Sequence, residues 1–307
     1  QSPPIRKLID RLERVADTET SILITGETGT GKELVAQALH RRSRRHKGPF
    51  VAVNCAALPD ALLESELFGH KSGAFTDAKT ERKGLFFQAS GGTLFFDEIG
   101  DFPLTLQPKL LISLEERCVR PIGGTSEINF DVRIIAATNR DIETAIEESR
   151  FREDLYYRIN VIQIDLPPLR DRGTDILLLA QHFIERFAIR SDKQITGISN
   201  TASEKLLNYT WPGNVRELRN TIERAFALTA YEKISVDDLP EKIRDYNASH
   251  FFVGSDKPSE LLSVQEVERR YILHVLKTVG GNKTLAAKVL GLDRKTLYRK
   301  LKHYKVD

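Results

Sequence analysis

The sequence predicts an α/β protein: a parallel five-stranded sheet sandwiched by helices, then an α-helical subdomain, then a small all-α helix-turn-helix domain. Three observations predict it. Short apolar runs rich in β-branched and aromatic residues alternate with longer amphipathic stretches through the first half, the pattern of βαβ units around a sheet buried on both faces. After Leu166-Pro167-Pro168 the strand signal stops and only helical periodicity continues. Residues 247–259, with Gly254, Pro258 and several small polar side chains, then read as a linker to a last, basic segment.

Strands are expected at residues 21–25 (SILIT), 50–54 (FVAVN), 93–97 (TLFFD), 132–138 (VRIIAAT) and 161–165 (VIQID). Helices are expected between them at 33–42, 104–116 and 142–148, and beyond them at 175–190, 199–209, 214–229 and 235–245. The expected organisation is therefore an α/β part over 1–170, a helical subdomain over 171–246, a linker over 247–262 and a terminal domain over 263–307. In that last domain Ser263 and Glu266 form a capping-box pattern before Val264, Val267, Tyr271, Val275 and Leu276, one apolar helical face. Gly280-Gly281 breaks this helix, and helices at 284–290 and 294–304 follow with Gly291 at the turn.

Composition excludes several classes. With 40% apolar and 29% charged residues, the 307-residue chain is neither disordered nor fibrous. No apolar run approaches the roughly 18 residues of a membrane span, and QSPPIRKLID is no signal peptide. Cys55 and Cys118 lie far apart without metal-ligand spacing, so both are expected as reduced core thiols of a cytoplasmic protein. A chain that opens on Gln1 and contains no Met is expected to be a piece of a longer product. The formal charge of +3 hides an asymmetry: residues 263–307 carry +7 and the remainder −4, which points the tail at a polyanion.

The strongest local signal is Gly26-Glu27-Thr28-Gly29-Thr30-Gly31-Lys32, after an expected strand and opening a helix. In this G-x-x-x-x-G-K form the glycines let backbone N–H groups turn inward around phosphate oxygens, while Lys32 brings a charge to the β/γ-phosphates. A Gly-rich turn with a surface lysine would share the composition but not the strand before and the helix after. Glu33 stands where the general pattern has a Mg²⁺-binding Ser or Thr, so other groups must serve the ion. The run 93–98 supplies them. Asp97 and Glu98 end a buried strand at the edge where α/β sheets bind ligands, Asp97 placed to hold Mg²⁺ through water and Glu98 to activate an attacking water. Asn139 ends the fourth strand, where a polar side chain senses the γ-phosphate, and Arg216 opens a helix from which it can reach the nucleotide. Arg152 and Arg158, in FREDLYYR, offer the positive charge hydrolysis needs, although surface salt bridges on a helix are the preferred reading of that stretch taken alone. The basic run 41–45 is expected to be a solvated helix end.

In this order, GETGTGKE, ESELFGHKSGAFTDA, GGTLFFDEIGD, AATNRD, FREDLYYRINV, LPPLRDR and WPGNVREL resemble the AAA+ ATPase module of bacterial sigma-54-dependent transcription activators over nearly the whole chain. The resemblance accounts for Glu33, which that family commonly carries. It implies that Gly73, Ala74, Phe75, Thr76, Asp77 and Ala78 form the loop that grips sigma-54, with Asp77 standing in place of the family's usual Gly. It also implies that Arg152 and Arg158 reach a neighbouring subunit's ATP, that Asn54 tethers Glu98, and that the working state is a hexameric ring. ATP and Mg²⁺ are the implied cofactors. Sigma-54 RNA polymerase holoenzyme is the implied partner, and a regulatory domain ahead of Gln1, as in two-component systems, is the implied input.

Residues 282–304 (NKTLAAKVLGLDRKTLYRKLKHY) have the proportions of a helix-turn-helix, and they resemble Fis-type domains. Ala286 and Ala287 permit close helix contact, Leu292, Leu297 and Leu301 pack inward, and Asp293 caps the second helix. Arg294, Lys295, Thr296, Tyr298, Arg299, Lys300 and Lys302 remain for groove or phosphate contact with double-stranded enhancer DNA. The helix over 264–279 is the expected dimer face. Two other functions share these features: a DNA-binding protein that uses ATP only as an assembly switch, and an AAA+ remodelling enzyme with another client. No ATPase loss on Glu98→Gln would remove the motor reading in favour of the first. Sigma-54 binding undisturbed by Phe75→Ala would revive the second.

Overall fold

The computed structural model describes residues 2–74, 80–189, 191, 193, 195–246, 263–279 and 281–304, the side chains of 277, 278, 302 and 303 excepted. Phe75, Thr76, Asp77 and Ala78, the linker and the Lys302 side chain lie outside the described residues. The chain divides into two units, Gln1–Tyr246 and Asn247–Asp307.

The first unit holds a fully parallel sheet of β1 (Ile22–Thr25), β2 (Phe50–Asn54), β3 (Thr93–Asp97), β4 (Arg133–Thr138) and β5 (Ile162–Asp165), in the spatial order β2-β3-β4-β1-β5. All five expected strands are present. The pleat explains why they are apolar throughout: Leu94, Phe96, Ile134 and Ala136 point into one core cluster, while Phe95, Ile135 and Ala137 point into another. The first cluster lies under α3 (Asp60–Phe68), α4 (Gln107–Glu116), α5 (Ile142–Glu147) and α6 (Glu153–Ile159), with Phe86, Phe96, Phe102 and Phe130 among its members. The second lies under α1 (Pro3–Ala16) and α2 (Lys32–Arg42). Register fixes the functional edge: Asn54 is opposite Asp97, and Thr25 is flanked by Thr138 and Asp165.

Sequence periodicity had no claim on α1 or α3, and α4 starts three residues later than expected because Pro108 occupies its first turn. Arg133 is the surprise of the sheet. It is 1% exposed, and it donates to Val15 O at 2.9 Å and Ala16 O at 2.5 Å, the carbonyls ending α1. A cation at a helix C-terminus satisfies orphan carbonyls and opposes the helix dipole. The basic run 41–45 is also more than a solvated end. Arg45 bonds Glu19 and Asp131 at 2.6 and 2.7 Å, pinning the turn after α2 to the start of β4.

The helical part of this unit contains α7 (Asp175–Ala188), α8 (Asn200–Asn208) and α9 (Asn214–Leu228), packed around the fully buried Trp211, whose Nε1–H donates to Leu206 O at 2.8 Å. Ser199 caps α8 by accepting from Ala202 N–H. The helix expected over 235–245 is largely absent. Residues 233–234 pair instead with 197–198 in a parallel ribbon, and Asp238 accepts from Ser235 N–H and Oγ–H at 2.7 and 2.9 Å; only Glu241–Arg244 is helical. Two forces decide this. Asp and Ser side chains compete for the backbone, and Pro240 pushes Leu239 out of the helical region and starts the short helix itself.

The second unit packs α10 (Val264–Thr278), α11 (Lys283–Leu290) and α12 (Arg294–His303) around Ile272, Val275, Ala286, Ala287, Leu297 and Leu301. Asn282 caps α11 through bonds from Thr284 N–H and Leu285 N–H. Gly291 ends it in the left-handed conformation (φ 65°) that lets a second helix follow after two residues. Of the expected apolar face of α10, Val275 and Leu276 are buried, whereas Val264 and Tyr271 are exposed.

Candidate functional site

The loop over residues 26–31 joins β1 to α2 with Gly26, Gly29 and Gly31 at φ 150°, 81° and 103°. Positive φ at these positions is what turns the amides toward one centre. Thr30 stabilises the turn from within, its Oγ–H donating to Glu27 O at 2.7 Å. Lys32, 6% exposed, donates to Gly26 O at 3.0 Å and lies 3.5 Å from a Glu98 carboxylate oxygen. Glu33 is exposed and accepts from Gln37.

β3 delivers Asp97 and Glu98 to the same edge. Burial pushes the Asp97 carboxyl up, and Lys32 opposes the shift. Glu98 is one of five non-glycine residues at positive φ among the described residues (φ 53°, ψ 50°). This strain turns its side chain back across the sheet edge, where it accepts from Asn139 N–H at 3.1 Å. Asn139 in turn donates to Thr28 Oγ at 2.8 Å, so β4 and the phosphate loop are laced together. Asn54 has a different partner from the one expected. Its Nδ2–H reaches Asp97 at 3.5 Å and its Oδ1 accepts from Ala56 N–H, leaving Glu98 to Lys32 and Asn139. Cys55 sits behind the pair, buried, its thiol pushed up by burial and the Asp97 charge.

Thr28, Gly29, Gly31, Lys32, Glu33, Asp97, Glu98 and Arg216 line one cleft of about 390 Å³, closed on the lid side by Phe183 and Val215. Sequence reasoning missed Arg186 and Arg219, which line it too; the i, i+3 spacing of Arg216 and Arg219 on α9 was the available signal. Arg152 and Arg158 do not line the cleft of their own chain. Arg152 is paired with Asp154 at 2.6 Å, and Arg158 donates to Leu114 O at 2.8 Å, both on the α4–α6 side. Beside them Tyr157 and Val161 are exposed.

The lid's approach to the loop was the larger omission. Asn214, fully buried and at φ 50°, donates to Glu27 at 3.0 Å and Thr28 O at 3.1 Å while accepting from Leu169 N–H at 2.8 Å. Gly29 O accepts from Val215 N–H and Arg216 N–H, and a Cβ on Gly29 would stand 2.4 Å from Gly213 O. Only glycine lets these two backbones touch.

At the other candidate surfaces, Gly69 and His70 pair with Lys83 and Arg82, and the base of the 71–80 loop is tied to residue 122 through Ile122 N–H to Gly69 O and Lys71 N–H to Ile122 O. Gly73, at φ 81°, and Ala74 are the described members of the expected sigma-54 loop, and Ala74 packs against Gly123. On α12, Arg294, Lys295, Tyr298 and Arg299 are exposed and Thr296 is half-buried. Lys283 lies over the Tyr298 ring, 5.4 Å from its centroid. Lys300, expected to face nucleic acid, is spent internally: its ammonium is 2.7 Å from Glu268 on α10.

A parallel sheet ordered β2-β3-β4-β1-β5 with a phosphate loop after β1, paired acids after β3, a polar sensor after β4 and an arginine-bearing helical lid defines an AAA+ ATPase. The family follows from comparison. Residues 1–165 match the sigma-54 interaction domain, 170–251 the AAA+ ATPase lid domain, and 263–304 the Fis family of bacterial regulatory proteins. The chain is 49% identical over its whole length to regulatory protein AtoC of Escherichia coli, of which it covers 67%, and 49% identical to transcriptional regulatory protein ZraR of Klebsiella oxytoca, with 98% of the chain and 67% of that protein aligned. Crystal structures of NtrX from Brucella abortus in complex with ADP and with ATP superpose with TM-scores of 0.74 and 0.73 at 35% identity, covering 100% and 99% of this chain and 69% and 68% of theirs. This chain belongs to the sigma-54-dependent activator family and is an AAA+ ATPase with a Fis-type helix-turn-helix. Among the described residues no helix is long and apolar enough to cross a membrane.

Proposed function

We propose that the chain binds enhancer DNA through residues 263–304, assembles into a hexameric ring, and uses ATP hydrolysis to drive the loop carrying Phe75 against sigma-54 RNA polymerase holoenzyme so that the promoter opens. One observation carries the reading. The cleft gathers Lys32, Asp97, Glu98 and Arg216, yet neither arginine of FREDLYYR lines it. Two arginines that do not reach their own cleft are free to serve a neighbour's, and a repeated head-to-tail contact that closes makes a ring.

Within that site the inward amides of residues 26–31 and Lys32 hold the phosphates, Arg216 approaches from the lid, and Asn139 senses the γ-phosphate. Glu98 takes the proton of the attacking water. Asp97 suits Mg²⁺ held through water: its carboxylate is half-buried at a strand end, and the Asn54 amide reaches it only at 3.5 Å. A Mg²⁺ held there would supply positive charge to offset that of the nucleotide's phosphates. Arg152 and Arg158 serve the adjacent subunit. Asn54, bonded to Asp97, couples the acid pair to β2 and thence to α3 and the loop after it. In the terminal unit the exposed Arg294, Lys295, Tyr298 and Arg299 face DNA with Thr296 and Lys302, and α10, with Val264 and Tyr271 exposed, supplies the dimer contact.

The test is capture of sigma-54 by the chain with an ATP transition-state analogue, with ADP, and with no nucleotide, comparing the native loop with Asp77→Gly and Phe75→Ala. Analogue-dependent capture that Phe75→Ala abolishes supports the reading. Capture indifferent to nucleotide or to Phe75 refutes it.

A further inference from the structure

A loop that aims its amides inward must aim its carbonyls outward, and those carbonyls need donors. For three of them the donors come from outside the loop. Thr28 O takes Asn214 Nδ2–H, Gly29 O takes two amides of α9, and Thr30 O takes Arg172 at 3.0 Å. Arg172 and Arg170 belong to one short 3-10 turn, Leu169–Arg172, which connects β5 to the lid. Arg170 does something different from its neighbour: its two terminal nitrogens meet the two carboxylate oxygens of Glu27 at 2.6 and 3.0 Å. Glu27 is thus the loop's own anion, placed between Gly26 and Thr28 in a nest built for phosphate.

We propose that Arg170 is an affinity-setting residue for the nucleotide, acting through Glu27: by neutralising that carboxylate it keeps the phosphate loop fit for a polyanion, and by its two-pronged grip it holds the connector to the loop. The inference rests on the loop being the ATP site and adds to it a residue that never touches ATP. A triphosphate entering the nest meets repulsion from Glu27 whenever Arg170 is absent, because the remaining partner, Asn214, supplies a hydrogen bond but no charge. Both members of the pair are partly exposed, at 44% and 42%, so the effect is screened and shrinks as salt rises. The bidentate geometry makes Arg170 the strongest influence holding Glu27 below the usual carboxylate range.

The experiment is equilibrium binding of ATP and ADP to the full chain at low and high ionic strength, with thermal unfolding followed in parallel. Arg170→Ala and Arg170→Gln are each expected to weaken ATP binding roughly ten-fold at low salt, and less at high salt. Arg170→Lys, which retains the charge, should bind close to the wild type. Glu27→Gln alone should bind ATP more tightly, since Arg170 is then an unopposed cation beside the loop. The double variant Glu27→Gln/Arg170→Ala should recover most of the affinity lost in Arg170→Ala. A part that was merely structural would not be rescued by removing a second side chain. If the double variant binds as weakly as Arg170→Ala, or if Arg170→Ala and Arg170→Gln bind as the wild type does, the proposal is wrong. A wild-type chain that bound neither ATP nor ADP would instead overturn the assignment of the loop itself.

Discussion

Replacing Asn214 tests how much one buried side chain contributes to seating the lid on the phosphate loop. The Asn214→Ala variant loses three hydrogen bonds: from Leu169 N–H, to Thr28 O and to the Glu27 carboxylate. At about 1 kcal/mol for each neutral bond and about 2 kcal/mol for the charged one, the loss is about 4 kcal/mol. The native φ of 50° adds about 1 kcal/mol of strain for alanine, which asparagine tolerates better. Unfolding of a unit this size shifts by roughly 2–4 °C per kcal/mol, so at about 5 kcal/mol in all thermal unfolding of the alanine variant should begin roughly 10–20 °C lower. Asn214→Gly separates the two contributions. Glycine relieves the strain but not the lost bonds, so it should be destabilised almost as much and by slightly less than alanine. Calorimetry on both variants decides the matter. Should Asn214→Gly match the wild type, the hydrogen bonds contribute nothing and backbone strain is the whole effect. Should alanine match it, the side chain does not seat the lid at all.

The remaining expectations concern chemistry, assembly, pH and DNA. Glu98→Gln should bind ATP normally and lose turnover by about 10²–10⁴-fold in a steady-state ATPase assay. Arg158→Ala should be inactive alone but partly rescued on mixing with a Lys32→Ala chain, because each subunit then supplies what its neighbour lacks; activity no better than the sum of the two parents would refute action in trans. His40 is buried against Phe50 with Nδ1 2.9 Å from Thr93 Oγ, and burial holds its pKa below the ordinary 6.5. The folded state therefore binds the proton less readily than the unfolded chain, its stability complete above about pH 6.5 and declining as pH falls below. His40→Gln should flatten this part of the unfolding profile relative to the wild type between roughly pH 7.5 and 5.5. For DNA, Arg299→Ala should lower affinity and reduce the salt slope by about one counterion, whereas Lys300→Ala should leave the slope unchanged.

The parts of this molecule legible in its sequence are those governed by neighbours in the chain. Each sheet strand is a run of four to six residues with its own signature, and the phosphate loop is seven consecutive residues. What stayed hidden depends on contacts across long separations. Nothing near Glu27 announces Arg170, 143 positions away, and nothing near Lys300 announces Glu268. The expectation for Lys300 could not take that partner into account, because a lysine on a helix looks the same whether it faces a phosphate or a carboxylate on the helix behind it. Asn54 shows a related limit. It does sit at the acid pair, as register requires, but which carboxylate it meets is set by the turn at Glu98, a φ that composition does not encode. The helix expected over 235–245 shows local signals in conflict: apolar spacing favoured it, and Asp238 and Pro240 prevailed.

The first helix has a mechanical consequence. Its entry is fastened to the lid, where Ser2 N–H meets the Asp175 carboxylate at 2.9 Å, and its exit is fastened to the middle of the sheet by Arg133. One rigid rod thus spans from the lid to the sheet by a route that bypasses the cleft, and it is tied at both ends by side chains from far along the chain.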